Sequence, residues 1–228
     1  MEVFSPLRPI AIAFTAEPPA GLTRWNGPAV PAGCAFWRQA MNGQAFYTVP
    51  EDHHQCAVGA HTHGLALPPE LGPRLMDTVG FMVSSGYLRM EEVPGIPVLP
   101  QAPGYISYAP AAQASFAPDV VLFAGNPAAV MLLYEAALRC GAGSALTPTL
   151  GRPGCAVLPL TANSGAASLS FGCRGNRTFT GLPETEMYFA LPGAHWPAFQ
   201  AAFEEIGSAD AKMTAHYRQH ESLFPMVS

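Results

Sequence analysis

The stretch Gly33-Cys34-Ala35 … Asn42-Gly43 … Cys56 … Gly64-Leu65 is matched later in the chain by Gly154-Cys155-Ala156 … Asn163-Ser164-Gly165 … Cys173 … Gly181-Leu182. In both, eight residues lead from the second cysteine to the Gly-Leu pair (56 to 64, 173 to 181). Upstream, Pro9-Ile10-Ala11-Ile12-Ala13-Phe14-Thr15-Ala16-Glu17-Pro18 has a counterpart in Pro118-Asp119-Val120-Val121-Leu122-Phe123-Ala124-Gly125-Asn126-Pro127, with both prolines and the phenylalanine at equal spacing. The offset is 109 residues at these strands and 117 at the second cysteines, so the second copy carries extra chain between the anchors. A solenoid repeat has a period of roughly 20–50 residues, so this one indicates two fused half-domains and not an array. The predicted fold is α+β, with two related half-domains over residues 1–110 and 111–228. Each is a short sheet with flanking helices, packed about a pseudo-twofold axis. Such packing gathers Cys34, Cys56, Cys155 and Cys173 near the axis, and leaves Cys140 without a counterpart.

Local patterns place the elements. Residues 9–16 and 119–124 are short, apolar and bracketed by turn-forming residues, as buried strands are. Residues 45–49, 167–171 and 186–191 read as further strands. Cys34 stands in the first turn of a short helix ended by Asn42-Gly43, where free N–H groups and the helix dipole favour a thiolate. The segment after Cys155 reads as a second short helix, up to Asn163. Cys56-Ala57-Val58-Gly59 and Gly172-Cys173-Arg174-Gly175-Asn176-Arg177 read as glycine-bearing turns. Helices are predicted over 68–85 and 128–140, with Asn126-Pro127 as N-cap and first-turn pair for the latter. Residues 87–104, rich in proline, read as an extended linker or edge segment, with the boundary between halves near 109–117. The tail, 195–223, reads as helical with a break near Gly207-Ser208.

Bulk composition narrows the function. Hydrophobic residues make up 49% of the chain and charged residues 12%, apolar enough to predict surface covered by a partner, most simply a second copy in a homodimer. A net charge of −5 without a basic run argues against nucleic acid. Proline and glycine interrupt every apolar run before the roughly 18 residues of a membrane span. Glu2 sits where a secretion signal carries positive charge, so a cytoplasmic location is expected. Cysteines in such a compartment are ligands, reactive thiols or buried apolar groups more often than disulfides.

Several of these segments together resemble one family. Cys34-Ala35-Phe36-Trp37-Arg38-Gln39-Ala40, Glu51-Asp52-His53 … Cys56-x-x-Gly59, Pro118-Asp119-Val120-Val121, Gly151-Arg152-Pro153-x-Cys155-Ala156 and Gly172-Cys173-x-Gly175-Asn176-Arg177 are similar to the motifs of the domain-of-unknown-function 169 family of archaea and bacteria. The resemblance runs from about residue 7 to residue 222. It implies that Cys34, Cys56, Cys155 and Cys173 are motif residues while Cys140 is not, and it assigns no activity. His54 departs from the pattern, standing where an aromatic residue is expected.

Four thiolates brought together by the fold suit an iron–sulfur cluster, with [4Fe–4S] as the leading form, since scattered ligands serve as well as a compact run. No C-x-x-C pair exists, so the usual zinc and ferredoxin signatures are absent. A closed centre implies electron exchange with a redox partner. An open iron would polarise a small-molecule substrate, as in a metal-dependent oxidoreductase or lyase. Arg177 and His63 are then the residues expected to act on substrate, although Arg177 and Asn176 equally suit a turn tied through carbonyls. A rival reading makes Cys173 a nucleophile, activated by Arg174 and Arg177, with His53, His61 or His63 as base. His61 and His63 would share a face if extended, and so hold a metal or a haem iron. Trp25, Trp37 and Trp196 with Phe36 and Phe46 would line a tetrapyrrole pocket, or simply pack a core. His195, His216 and His220 suit surface or packing roles. The turn Ala124-Gly125-Asn126-Pro127 lacks the glycine spacing of a dinucleotide site. A non-catalytic module holding a small molecule between the halves is the remaining class.

Overall fold

The computed structural model describes residues 7–143 and 149–220. Glu2 and residues 221–223, on which two of the readings above rest, lie outside them. Among the described residues no helix is long and apolar enough to cross a membrane.

The fold is α+β. Strands β1 (Ile10–Thr15), β2 (Phe46–Thr48), β3 (Tyr105–Pro110), β4 (Val120–Gly125), β5 (Thr149–Leu150), β6 (Ser168–Ser170) and β7 (Met187–Pro192) form one continuous sheet in the order β2-β3-β1-β4-β7-β6-β5. Every neighbouring pair is antiparallel except β5–β6, which is parallel. All six residues of β4 are buried, as its unbroken apolar run requires of a central strand covered on both faces.

Side chains alternate between the two faces, and each face has its own core. On one, Ile10, Ile12, Val120 and Leu122 pack with helices α1 (Ala35–Met41) and α5 (Val157–Ser164), which bring Phe36, Trp37, Val157 and Leu158 into the same cluster. The short helices α2 (Ala57–Thr62) and α6 (Arg174–Thr180) join this layer, α6 against α1 and α2 against the turn that holds Cys155. On the other face, Val121, Phe123, Phe189 and Leu191 pack against α4 (Pro127–Arg139) and α7 (Trp196–Gln219). Helix α3 (Gly72–Ser84) lies between α2 and β3 in the chain.

Five sequence readings change in the structure. Phe14 and Phe123, equivalent by spacing, lie on opposite faces: Phe14 packs on the α1–α5 core and Phe123 within the α4–α7 core. Ile10 and Ile12 share their core with Val120 and Leu122, a correspondence one residue longer than the proline spacing suggests, and a one-residue slip turns every strand side chain over. Strand β3 begins where the segment read as a linker ends and runs into the boundary read near 109–117; it was not expected, because its flanking prolines hide the apolar core Ile106-Ser107-Tyr108-Ala109. The turns after Cys56 and Cys173 are helices. Helix α7 continues through Gly207-Ser208, where a glycine disfavours helix by only about 1 kcal/mol and does not break it. The strands also form one continuous sheet, where two short ones were expected.

Candidate functional site

Four of the five cysteines stand at helix starts on the α1–α5 face. Cys56 is the N-cap of α2 in extended conformation, and its Sγ accepts the Gly59 N–H at 3.3 Å. Cys173 is the N-cap of α6, also extended, and its Sγ accepts the Asn176 N–H at 3.4 Å. Sulfur thus occupies the place that a serine or aspartate oxygen usually takes, meeting one of the unpaired N–H groups of the first turn. Cys34 precedes α1, and Cys155 lies in the single 3-10 turn Gly154–Ala156 that leads into α5; both are buried.

The four approach one another closely enough for every pair to interact electrostatically: Cys34 with Cys56 and Cys173, Cys56 with Cys173, and Cys155 with the other three. Cys140 is apart from them, at the end of α4 against the opposite core. Two glycines permit the approach. A Cβ on Gly154 would stand 3.0 Å from the Cys173 backbone nitrogen and 3.1 Å from Gly172 Cα, so any larger residue beside Cys155 would have to push the Cys173 backbone away. A Cβ on Gly33 would stand 2.7 Å from His53 Nδ1.

Burial sets the charge state. It pushes the Cys34 thiol up to about 12, with Cys173 and Cys56 adding to the rise and Asn176 opposing it. It holds Cys155 well above the ordinary thiol range and raises Cys56, against the pull of the Gly59 N–H. These three are neutral thiols at pH 7, poor nucleophiles that would give up their protons on binding a metal. Around Cys34 lie Tyr108 and Tyr188, whose hydroxyls burial holds protonated, and Asn176.

The other predicted residues have definite places. Arg177 donates to the carbonyls of Phe171 (2.6 Å), Glu186 (3.1 Å) and Pro183, and so ties together the chain around α6. Arg174 pairs with Glu184 at 2.9 Å. His63 is buried and hydrogen-bonds the Gly59 carbonyl from Nδ1 at 2.7 Å; because a carbonyl only accepts, the proton sits on Nδ1 and Nε2 keeps a free lone pair. Burial lowers its pKa and keeps it neutral. Thr62 links it to the cysteines, with Oγ1 3.2 Å from His63 Nδ1 and 3.5 Å from Cys155 Sγ. His53 is buried with Nε2 2.8 Å from Thr48 Oγ1, and its ring lies 5.7 Å from that of His63.

His61 and His63 do not share a face. They lie at the end of helix α2, where residues two apart diverge, and His61 is exposed while His63 is buried. Trp25, Phe36 and Phe46 pack on one another, while Trp196 stacks near Phe123 on the opposite side of the sheet, so the aromatics do not line one cavity. His195 meets the Cys140 carbonyl on that side, and His216 stacks on His220 near the end of α7. Thr62, Tyr108 and Tyr188 were missed as site residues and carried no signal, while Asn176, read in the sequence as tying its turn, places its side chain beside Cys34.

Among the described residues no group of three or more histidine, cysteine or acidic side chains is drawn close enough to hold a single metal ion. A tetrahedral ion with bonds of about 2.3 Å to sulfur needs its ligands nearly in contact. A cubane takes its four ligands on the outside of a larger body, so its sulfurs stand farther apart than those around one ion.

No solved structure matches this chain. Among curated proteins it is similar to the uncharacterized protein MJ0308 of Methanocaldococcus jannaschii, 28% identical over 153 residues. That match covers 62% of this chain and 62% of the relative, so the chain spans less than two thirds of that relative's length. Residues 6–200 match the family described as uncharacterised ArCR proteins, so the chain carrying these four convergent cysteines belongs to the DUF169 family.

Proposed function

We propose that Cys34, Cys56, Cys155 and Cys173 hold one iron–sulfur centre, [4Fe–4S], at the meeting point of two duplicated halves, and that the protein uses it in redox or Lewis-acid chemistry on a small molecule. The observation that carries this reading is the mutual approach of all four thiols, two from each copy, with Cys140 left out. The duplication is supported by the strand order: β2-β3-β1 on one side of the central pair is answered by β6-β7-β4 on the other. Across that centre α1 corresponds to α5 and α2 to α6, and the halves divide at 1–110 and 111–228. A twofold axis through the β1–β4 pairing would relate them.

When bound, such a centre supplies an electron store or a Lewis acid. The residues of the chain do the rest. Gly59 and Asn176 N–H groups point at the sulfurs of Cys56 and Cys173, where they would stabilise negative charge. Burial of Cys34 and Cys155 keeps water from that side. His63 offers a neutral, fixed imidazole that would accept a proton. Arg177 holds the chain around Cys173 in place and contributes through position. A cytoplasmic, homodimeric protein fits five free cysteines and the exposed apolar side chains Met76 and Phe81 of α3.

Iron and acid-labile sulfide measured on protein purified without oxygen test the proposal. Wild type and Cys140→Ala should carry both, with broad absorption near 400 nm. Serine replacement of Cys34, Cys56, Cys155 or Cys173 should remove or diminish them. Iron-free wild type after anaerobic reconstitution, or equal loss from Cys140→Ala, would overturn it.

A further inference from the structure

Asn176 is the least satisfied polar residue in the α1–α5 layer. It is 1% exposed, and neither Oδ1 nor Nδ2 of its side chain closes a hydrogen bond of full strength; the groups within its reach are the Cys34 thiol and the Tyr188 hydroxyl, which it meets only weakly. Its main chain is fully engaged: the N–H donates to Cys173 Sγ at 3.4 Å and the carbonyl accepts from Thr180 Oγ1 at 2.8 Å. A buried amide so weakly held gains most from a stronger acceptor, and a charged sulfur in place of the neutral Cys34 thiol is one. The side chain lies beside the Cys34 thiol and the Tyr188 hydroxyl. Oδ1 lies toward Gly172, 3.1 Å from where a Cβ there would stand, and the contact with Cys34 favours the thiolate, as a donor does and an acceptor does not, so Nδ2 is the end that faces the sulfur.

The matching position in the first half sharpens the point. Three residues after Cys56 stands Gly59, which offers its N–H to sulfur and no side chain. Three residues after Cys173, Asn176 offers the same N–H and an amide as well. The copies agree in the backbone donor and differ in this one group.

We infer that Asn176 Nδ2 is a hydrogen-bond donor to the sulfur centre beside Cys34, and that it sets the centre's reduction potential. This rests on the iron–sulfur reading above. One-electron reduction adds negative charge to the centre and its ligand sulfurs, and a donor aimed at sulfur stabilises the reduced state more than the oxidised one. Removing the donor should lower the midpoint potential without removing the iron. Asn176 is thus a positioning residue for charge and not a ligand.

The test is a redox titration with dithionite, under exclusion of oxygen, of wild type, Asn176→Ala and the near-isosteric Asn176→Asp. Iron and sulfide are measured on each sample. Expected are wild-type iron and sulfide, a lower midpoint in Asn176→Ala, and a still lower one in Asn176→Asp, whose carboxylate replaces a donor with an acceptor. An unchanged midpoint in both variants with the centre intact overturns the inference and leaves the centre standing. Loss of iron from both variants assigns Asn176 to folding and equally overturns it. Absence of iron from wild type overturns the reading beneath, and the inference with it.

Discussion

The turn at Cys56 and the turn at Cys173 use one backbone device with different side chains. In each, an extended cysteine caps a short helix and takes the N–H three residues on, from Gly59 and from Asn176. In each, a glycine with φ of +67° stands eight residues after the cysteine, Gly64 and Gly181, and ends the helix in the left-handed region that glycine enters freely. The surroundings then diverge. The first turn is followed by His63, locked onto the Gly59 carbonyl; the second is strapped by Arg177 to three carbonyls and carries the weakly held amide of Asn176. The difference teaches that the two turns share what holds sulfur and differ in what surrounds it: a potential proton acceptor, His63, beside one and an amide donor, Asn176, beside the other.

The strongest way to break the comparison is at the glycine before each first cysteine. Gly154→Ala presses a methyl onto the Cys173 backbone, and backbone cannot yield without moving the cysteine it carries. A loss of about 1–3 kcal/mol in denaturant unfolding is expected, together with reduced iron retention. Gly33→Ala presses instead on the His53 ring, for a loss of similar size, but there the neighbour is a side chain. Adding His53→Ala should therefore recover part of the loss at Gly33 and none at Gly154. Equal behaviour of the two double variants would show that the two close approaches are not different in kind.

A titration of stability separates the halves by charge. Burial holds His53 well below its ordinary 6.5, reinforced by His63 and His54, and lowers His63 as well. A depressed histidine contributes stability that is present above the unfolded pKa and lost as pH falls, because the unfolded chain takes up the proton first. His53 alone should then cost up to about 2 kcal/mol at pH 5, and His53→Gln should flatten that acid limb. The thiols run the other way. Cys34, Cys56 and Cys155 are raised, so metal-free protein keeps its stability up to the unfolded thiol value of 9.0 and loses it as pH climbs toward the folded value, about 12 for Cys34. The acid limb belongs to the first half alone and the alkaline limb to both. Urea midpoints from pH 5 to 10 on metal-free protein check each limb separately.

Much of this was legible because it repeats. Equal cysteine-to-glycine spacing records a helix from cap to stop, although it reads as a turn: Cys56-Ala57-Val58-Gly59 and Cys173-Arg174-Gly175-Asn176 lack the length and periodicity that announce a helix, and sulfur is not a familiar cap. Burial of β1 and β4 follows from their apolar runs. The slip that sets Phe14 and Phe123 on opposite faces was invisible, since conserved proline spacing in two strands does not determine which residue faces which core. The convergence of four cysteines was an inference from symmetry, whereas the weakly held amide of Asn176 depends on the neighbours of one buried side chain, which no spacing encodes.

The smallest effect is the sharpest test of what the first turn contributes. Gly59 lies inside α2 with ordinary backbone angles, and a Cβ there would meet Cys56 Sγ at 3.5 Å and Cβ at 3.6 Å, normal van der Waals contact. Alanine lowers the backbone entropy lost on folding and suits a helix interior, so Gly59→Ala should stabilise the metal-free protein by roughly 0.5–1 kcal/mol. The N–H to Cys56 Sγ is untouched by the change, so iron content and midpoint potential should stay at wild-type values. If the methyl instead drives iron out, the space beside Cys56 belongs to the centre, and glycine there is needed for the volume it leaves empty. If nothing moves, the first turn acts on sulfur through its backbone alone, and the asymmetry between the copies rests on Asn176.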